Sequence, residues 1–297
     1  MRVSVVQHGN DADPQRNLER SEHWIREAAA RQAQLVLLPE LHRSLYFCQQ
    51  EDTAAFDLAE PVPGPTTEWL ASLAGELGLV IVGSVFEKRA EGLYHNTAVV
   101  LDRDGSLAGC YRKMHIPEDP GFHEKFYFTP GDAFTSSGRS GFEPVETSLG
   151  RLGVLVCWDQ WYPEAARLMA LAGARMLLYP AAIGWEPGDA ADEKTRQLEA
   201  WMTVQRGHGI ANTLPVLVAN RTGFEAGPAY SDGIDFWGNS FIAGPQGEIL
   251  ARGADAEDGV LLADLEPGSP ERLRRIWPFF RDRRIDAYEG LRKRYHD

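Results

Sequence analysis

The sequence predicts an α/β fold with largely parallel central strands, and three observations carry that reading. Apolar runs of strand length alternate with helical patterns, the order β-α-β-α-β-hairpin occurs twice, and each hairpin has its own turn signal. Residues 2–7 read as a strand. From Pro14 onward, Leu18, Trp24, Ile25 and Ala28 fall roughly on one face, a helix that runs to about Gln32 with proline in its first turn. Leu35-Val36-Leu37-Leu38 is wholly apolar, as expected of a strand covered on both faces. Residues 66–77 read as helix and 79–85 as strand. Strands at 94–101 and 107–112 flank Asp102-Arg103-Asp104-Gly105, a hairpin turn.

The second round places strand 151–156, helix 163–172, strand 175–179, helix 194–212 and strand 216–220. Its hairpin pairs 239–243 with 248–251 about Gly244-Pro245-Gln246-Gly247. No residue-level repeat accompanies this echo. One domain over residues 1–297 is therefore expected, with two similar halves and helices on the outer face of each sheet. Irregular stretches at 39–65, 113–143, 181–193 and 221–237 have a length that is usually functional in a compact domain. Residues 277–297 read as a C-terminal extension and a candidate oligomer arm.

A chain of 297 residues buries a sizeable core without staples, and 43% apolar with 25% charged residues excludes wholesale disorder. Acids outnumber bases 43 to 30, for a net charge of −13, which disfavours nucleic acid and anionic lipid as partners. The basic clusters Arg272–Arg275, Arg281–Arg284 and Arg292–Arg294 are interleaved with apolar or acidic residues and read as amphipathic helical faces. No apolar run of about 18 residues occurs, so no membrane-spanning helix is expected. The first seven residues are too polar and too alternating for a signal peptide. Cys48, Cys110 and Cys157 are odd in number, widely spaced and without a CxxC pair. That argues against a disulfide framework or zinc site and for a reducing, cytoplasmic setting.

Ligands in open α/β sheets bind beyond the carboxyl ends of strands, so reactive side chains directly after strand-like runs are candidates. Three stand out: Glu40 after Leu35–Pro39, Lys113 after Leu107–Arg112, and Cys157 after Gly153–Val156. Cys157 lies at a strand-to-helix turn. A thiol facing the helix N-terminus would be favoured as thiolate, and the Trp158 N–H would suit a developing oxyanion. A small buried apolar residue is the competing reading, and Cys48 and Cys110 read that way. Glu40 ends an apolar run, where an unpaired buried charge is costly; it reads either as a desolvated general base or as a strand-end cap. Lys113 reads either as a solvated charge or as the cation that helps ionise Cys157 and neutralises an oxyanion. A nucleophile, a base and a cation, each at a strand end, make a centre for acyl transfer. A Cys-His hydrolase using His115 or His123 is one alternative. A non-catalytic binding or assembly module is another, and the presence of all three side chains counts against it.

Leu38-Pro39-Glu40, Tyr111-Arg112-Lys113-Met114-His115-Ile116-Pro117 and the segment from Val156 through Cys157 and Trp158 to Glu164 resemble the three signature segments of the nitrilase (carbon–nitrogen hydrolase) superfamily. The likeness runs from residue 1 to about 290. It implies a four-layer α-β-β-α sandwich, a Glu40-Lys113-Cys157 triad and sandwich-to-sandwich homo-oligomers. A second glutamate is common in the loop after the lysine. Glu124 matches that place, with the implied role of holding Lys113 and the leaving group.

Within the superfamily the sequence is similar to the N-carbamoylputrescine amidase branch. Shared stretches include Tyr46-Phe47-Cys48-Gln49, the block 111–131, Tyr179 to Pro187, Gln205 to Asn212, and Ser240 to Pro245. This implies hydrolysis of a small carbamoyl amine to putrescine, carbon dioxide and ammonia, a step of polyamine biosynthesis. It implies no metal or organic cofactor, because nucleophile, base and electrostatic clamp are all protein groups. Glu186 is the implied acid for the substrate ammonium. Tyr46, Phe47, Phe126, Tyr127 and Trp185 read as channel lining or as core. Trp185, His42-Arg43-Ser44 and Glu118-Asp119 depart from the branch pattern, and Trp185 points to a changed pocket size. A β-ureidopropionase, an ω-amidase and an aliphatic amidase are the rival readings inside the superfamily.

Overall fold

The computed structural model of the chain describes residues 1–134, 138, 140–228 and 232–295. Its first half runs β1 (Arg2–Gln7), α1 (Pro14–Ala30), β2 (Leu35–Leu37), α2 (Pro65–Leu77), β3 (Val80–Ala90), β4 (Leu93–Leu101) and β5 (Leu107–Arg112). A short α3 (Glu124–Tyr127) leads to the second half: β6 (Val145–Thr147), β7 (Gly150–Val154), α4 (Pro163–Leu171), β8 (Met176–Pro180), β9 (Gly184–Trp185), α5 (Ala191–Asn212) and β10 (Val216–Ala219). Then come β11 (Thr222–Glu225), β12 (Ile234–Trp237), β13 (Phe241–Ala243), β14 (Ile249–Arg252), β15 (Gly259–Asp264) and α6 (Ser269–Ile276). Local chemistry sets the helix starts. The Asp13 carboxylate accepts from the Gln15 N–H ahead of α1, and Pro14, Pro65 and Pro163 open α1, α2 and α4, where an N–H would go unused.

Two six-stranded sheets form, in the orders β15-β1-β2-β3-β4-β5 and β14-β13-β10-β8-β7-β6. Each has three parallel strands at its centre, an antiparallel pair on one side and a single antiparallel strand on the other. The doubled element order is thus a doubled topology. The period-two alternation of each strand then sorts the layers. Val3, Val5, Leu35, Leu37, Val80 and Val82 pack into one core with Leu152, Val154, Leu177, Val216 and Val218 of the second sheet. Val6, Val36, Leu38, Ile81, Val99 and Leu101 face the other way, onto Ile25 and Ala28 of α1 and Leu70 and Leu73 of α2. Helices α4 and α5 pack on the second sheet through Ala165, Met169, Trp201 and Met202. The layers run helix, sheet, sheet, helix.

Several elements differ from the expectation. Strand β3 continues past residue 85 to Ala90 and turns at Glu91-Gly92 into β4; its last three residues, Lys88-Arg89-Ala90, are exposed and two of them are charged, so no apolar signal marks the end. Strand β15 pairs with β1, a partner more than 250 positions away that local pattern does not reveal. Strands β9, β11 and β12 form a small third sheet inside stretches read as irregular. Residues 135–137 and 139 of the stretch 113–143, and 229–231 of the stretch 221–237, lie outside the described residues, as do 296 and 297. Among the described residues no helix is long and apolar enough to cross a membrane. After α6 the chain makes two short 3-10 turns, Ile285–Ala287 and Glu289–Arg292, and leaves Trp277, Ile285, Leu291 and Tyr295 exposed.

Candidate active site

The carboxyl ends of β2, β5 and β7 deliver Glu40, Lys113 and Cys157 to one buried place. Glu40 and Lys113 are 0% exposed and Cys157 is 4% exposed, so the solvated-charge reading of Lys113 is excluded. The Lys113 Nζ donates to Glu40 Oε1 at 2.9 Å and to Glu124 Oε2 at 2.6 Å. Glu124, at the start of α3, also accepts from the Tyr46 hydroxyl at 2.7 Å. Asn96 Nδ2 donates to Glu40 Oε1 at 2.6 Å. The other Glu40 oxygen, Oε2, is buried without a hydrogen-bond partner, which is the state of an acceptor still free for a proton.

Cys157 opens a 3-10 turn, Cys157–Trp161, and has φ +42°, a left-handed backbone that a non-glycine residue adopts under constraint. Asp159 supplies that constraint. Its buried carboxylate accepts from the Val156 N–H at 2.9 Å, the Tyr111 hydroxyl at 2.8 Å and the His115 N–H at 3.0 Å. The turn bearing the thiol is thereby tied to the strand end bearing the lysine. The thiol itself points toward the Ala182 carbonyl, at 3.9 Å.

The electrostatics follow from burial. Desolvation, then the Glu40 charge, pushes the Cys157 thiol well above its ordinary range, with Lys113 pulling the other way. The expected helix-end thiolate is therefore not the resting state: a 3-10 turn separates Cys157 from α4, and the thiol needs a base to lose its proton. Burial opposes the Lys113 ammonium, but Glu124 and Glu40 outweigh it and hold the amine protonated. Burial also pushes Glu124 up to about 7, against the pull of Lys113.

A cavity of about 500 Å³ opens onto this cluster. Tyr46, Glu124, Cys157 and Trp158 line it, together with Asp119, Phe122, Glu186, Glu193, Arg196 and Trp237. Glu186 lies on its wall but is exposed. The Trp185 ring is not among the lining groups. Its Nε1 donates to the Lys194 carbonyl at 3.0 Å and its ring packs on Trp237 at 5.4 Å, so Trp237, which the sequence reading missed, presents the wall that Trp185 backs. Phe47 and Tyr127 belong to an aromatic cluster with Phe56 and Phe86 and are core. The His115 ring is engaged by Asp159 at 2.6 Å and stacked on Tyr162, and His123 pairs with Glu118 at 3.1 Å. Among the described residues neither imidazole is a hydrogen-bond partner of the Cys157 thiol, whose contact is the Ala182 carbonyl. Glu51, Glu118 and His123 are the one group among the described residues spaced to share a metal ion, and they sit outside the reaction centre on exposed loops.

The carbon-nitrogen hydrolase family profile matches residues 2–275. The chain belongs to that family. It is a hydrolase of carbon–nitrogen bonds, and its membership covers all of both sheets. It is 42% identical to an N-carbamoylputrescine amidase of Arabidopsis thaliana over 295 residues, covering 97% of this chain and 94% of that one. It is 38% identical to a citrullinase of Francisella tularensis over 296 residues, 99% of each. A crystal structure of a carbon-nitrogen hydrolase from Helicobacter pylori superposes with a TM-score of 0.94 at 48% identity over the whole of both chains.

Proposed function

We propose that this hydrolase cleaves N-carbamoylputrescine and water to putrescine, carbon dioxide and ammonia. The observation that carries the reading is the make-up of one cavity and the groups behind it: the Cys157 thiol and Glu124 line one end, Lys113 and the Glu40 carboxylate with its free oxygen lie buried against them, and the acids Asp119, Glu186 and Glu193 stand along the walls. A substrate with a neutral urea and a distal ammonium matches that distribution. Similarity to N-carbamoylputrescine amidases over nearly the full chain supports it.

Glu40 Oε2 takes the Cys157 proton as sulfur attacks the carbamoyl carbon. The tetrahedral oxyanion is held by the Lys113 ammonium and the Trp158 N–H. Collapse breaks the carbon–nitrogen bond to the diamine, and Glu40 or Glu124 protonates the departing nitrogen. Glu124 suits that part, because its carboxyl, held up to about 7, carries a proton near neutrality. A carbamoyl thioester remains on Cys157. By then Glu40 has given up the thiol proton, either to the departing nitrogen directly or, through the Lys113 ammonium that bridges the two carboxyls, to Glu124 in place of the one Glu124 donated. The free Glu40 carboxylate then removes a proton from water as the oxygen displaces the sulfur and passes that proton to the leaving thiolate, and the carbamic acid released falls apart to carbon dioxide and ammonia. All these groups are side chains or backbone of this chain, so the sequence asks for no metal or organic cofactor.

A second reading is hydrolysis of a ureido amino acid, favoured by Arg196 on the same wall and by the citrullinase relative. Ammonia release from N-carbamoylputrescine, citrulline, N-carbamoyl-β-alanine and an ω-amide separates these readings. Highest kcat/KM on N-carbamoylputrescine supports the proposal; preference for citrulline replaces it. The exposed apolar residues after α6 support a homo-oligomer built through the arm at about 277–297, and the three free cysteines support a cytoplasmic setting.

A further inference from the structure

Behind the reaction centre lies a buried ion pair that the chemistry above does not use. Arg221 follows β10 and Glu225 ends β11; both side chains are buried. Arg221 Nη1 donates to Glu225 Oε1 at 2.8 Å. The rest of the guanidinium grips backbone: Nε and Nη2 donate to the Glu40 carbonyl at 3.2 and 3.0 Å, and Nη2 to the Leu41 carbonyl at 2.8 Å. Glu225 Oε2 accepts from the Tyr46 N–H at 2.6 Å. Tyr46 holds Glu124, Glu124 holds Lys113, and Lys113 holds Glu40. The contacts close a ring through Arg221, Glu225, Tyr46, Glu124, Lys113 and Glu40. The rings of Tyr46 and Phe236 stand 5.9 and 5.5 Å from the guanidinium and shield it.

A buried ion pair is weak evidence for stability, because desolvation cancels much of its attraction. Its geometry suggests another purpose. Leu41 has φ +48°, a conformation that needs enforcement, and it falls where Arg221 takes two successive carbonyls. With Oε2 of Glu40 unpartnered, that carboxylate is aimed by Asn96 and Lys113 on Oε1 and by the backbone that carries it. Arg221 comes from the second sheet and Glu40 from the first. The guanidinium therefore sets how the base of one sheet meets the thiol of the other.

We infer that Arg221 and Glu225 are positioning residues for the hydrolysis, holding the Glu40–Leu41 backbone and the Tyr46 N–H so that both carboxylates meet Lys113 in register. This rests on the reading of Glu40 as base. The test is a cycle on N-carbamoylputrescine with Glu225→Gln, Arg221→Lys and Glu40→Gln, singly and paired with Glu40→Gln. Turnover is scaled to the fraction of protein recovered in the native size-exclusion peak with wild-type far-UV circular dichroism, so misfolded protein is not counted. Expected is a fall in kcat of roughly 10- to 100-fold for either positioning variant, with KM within about threefold. In the Glu40→Gln background the same substitution should cost less than about threefold, because there is no base left to aim. An equal loss in both backgrounds, a loss confined to KM, or kcat within threefold of wild type overturns the inference. Should Arg221→Lys not fold, Arg221→Met/Glu225→Gln serves, since it leaves no unpaired charge behind. Near-normal turnover by Glu40→Gln alone instead overturns the assignment of the base, whatever the other variants do.

Discussion

The two ends of the cavity are built on opposite terms. At the closed end Glu40, Lys113, Glu124 and Cys157 are buried, come from strand ends or a helix start, and are fixed by contacts of 2.6–2.9 Å between the charged groups. At the open end Asp119, Glu186 and Arg196 are exposed, on loops and the outer turns of α5, and Arg196 is already paired with Asp192 and Glu193. Charge at the closed end is strong because water is excluded; charge at the open end is screened. Chemistry thus sits where the scaffold is rigid, and substrate choice where it is soft and replaceable.

The sharpest way to break that contrast is Cys157→Ala, which should lower kcat by about 10⁴-fold or more while leaving the far-UV circular dichroism unchanged. Residual turnover within tenfold of wild type would remove the nucleophile. Lys113→Met should cost roughly 3–5 kcal/mol of unfolding free energy, because it leaves Glu40 and Glu124 buried and facing one another. Urea unfolding checks this, and a stability loss below 1 kcal/mol would mean the cluster is less dry than its burial indicates.

Buried imidazoles sharpen the comparison through pH. Burial holds His8 down to about 4, His42 to about 3 and His208 to about 4. The unfolded chain binds those protons below about pH 6.5 and the folded protein does not, so stability falls as pH drops from 6.5 toward 4. Glu124 works in the opposite sense. Its folded carboxyl keeps a proton up to about 7, so its contribution fades as pH rises from about 4.5 to 7. Three imidazoles outweigh one carboxyl, and unfolding free energy should rise between pH 5 and 6.5. His42→Gln should lower that slope by up to about 1.4 kcal/mol per pH unit. The smallest effect belongs to the open end. Glu186→Gln should raise KM for N-carbamoylputrescine about three- to fivefold and leave a neutral alkyl urea within twofold, since an exposed ion pair contributes roughly 1 kcal/mol or less. Equal effects on both substrates would remove Glu186 from ammonium recognition.

What the sequence disclosed follows the same division. The parallel strands β1, β2, β3 and β7, β8, β10 were legible because each is a largely apolar run with a helical pattern on at least one side. Glu40, Lys113 and Cys157 were legible because a charged or nucleophilic side chain at the end of such a run is costly without a task. Arg221 escaped notice although it too follows a strand, β10, because a single arginine in a long irregular stretch carries no pattern; its partners at Glu40 and Leu41 are 180 positions away. Trp237 was missed for the same reason, and Trp185 was overread because adjacency to Glu186 says nothing of which way a ring turns on a short strand. The strained φ of Cys157 has no signature in sequence at all.

One feature of the architecture bears on how the molecule comes into being. The outer rim of the first sheet is β15, which hydrogen-bonds along the whole of β1. While the polypeptide emerges from the ribosome, that rim stays bare until Gly259–Asp264 has been made. An exposed run of unpaired amides beside Val3, Val5 and Val6 invites a neighbouring nascent chain to take the place of β15. Truncations that stop short of residue 259 should accordingly aggregate, even though every proposed reacting group lies well before that point.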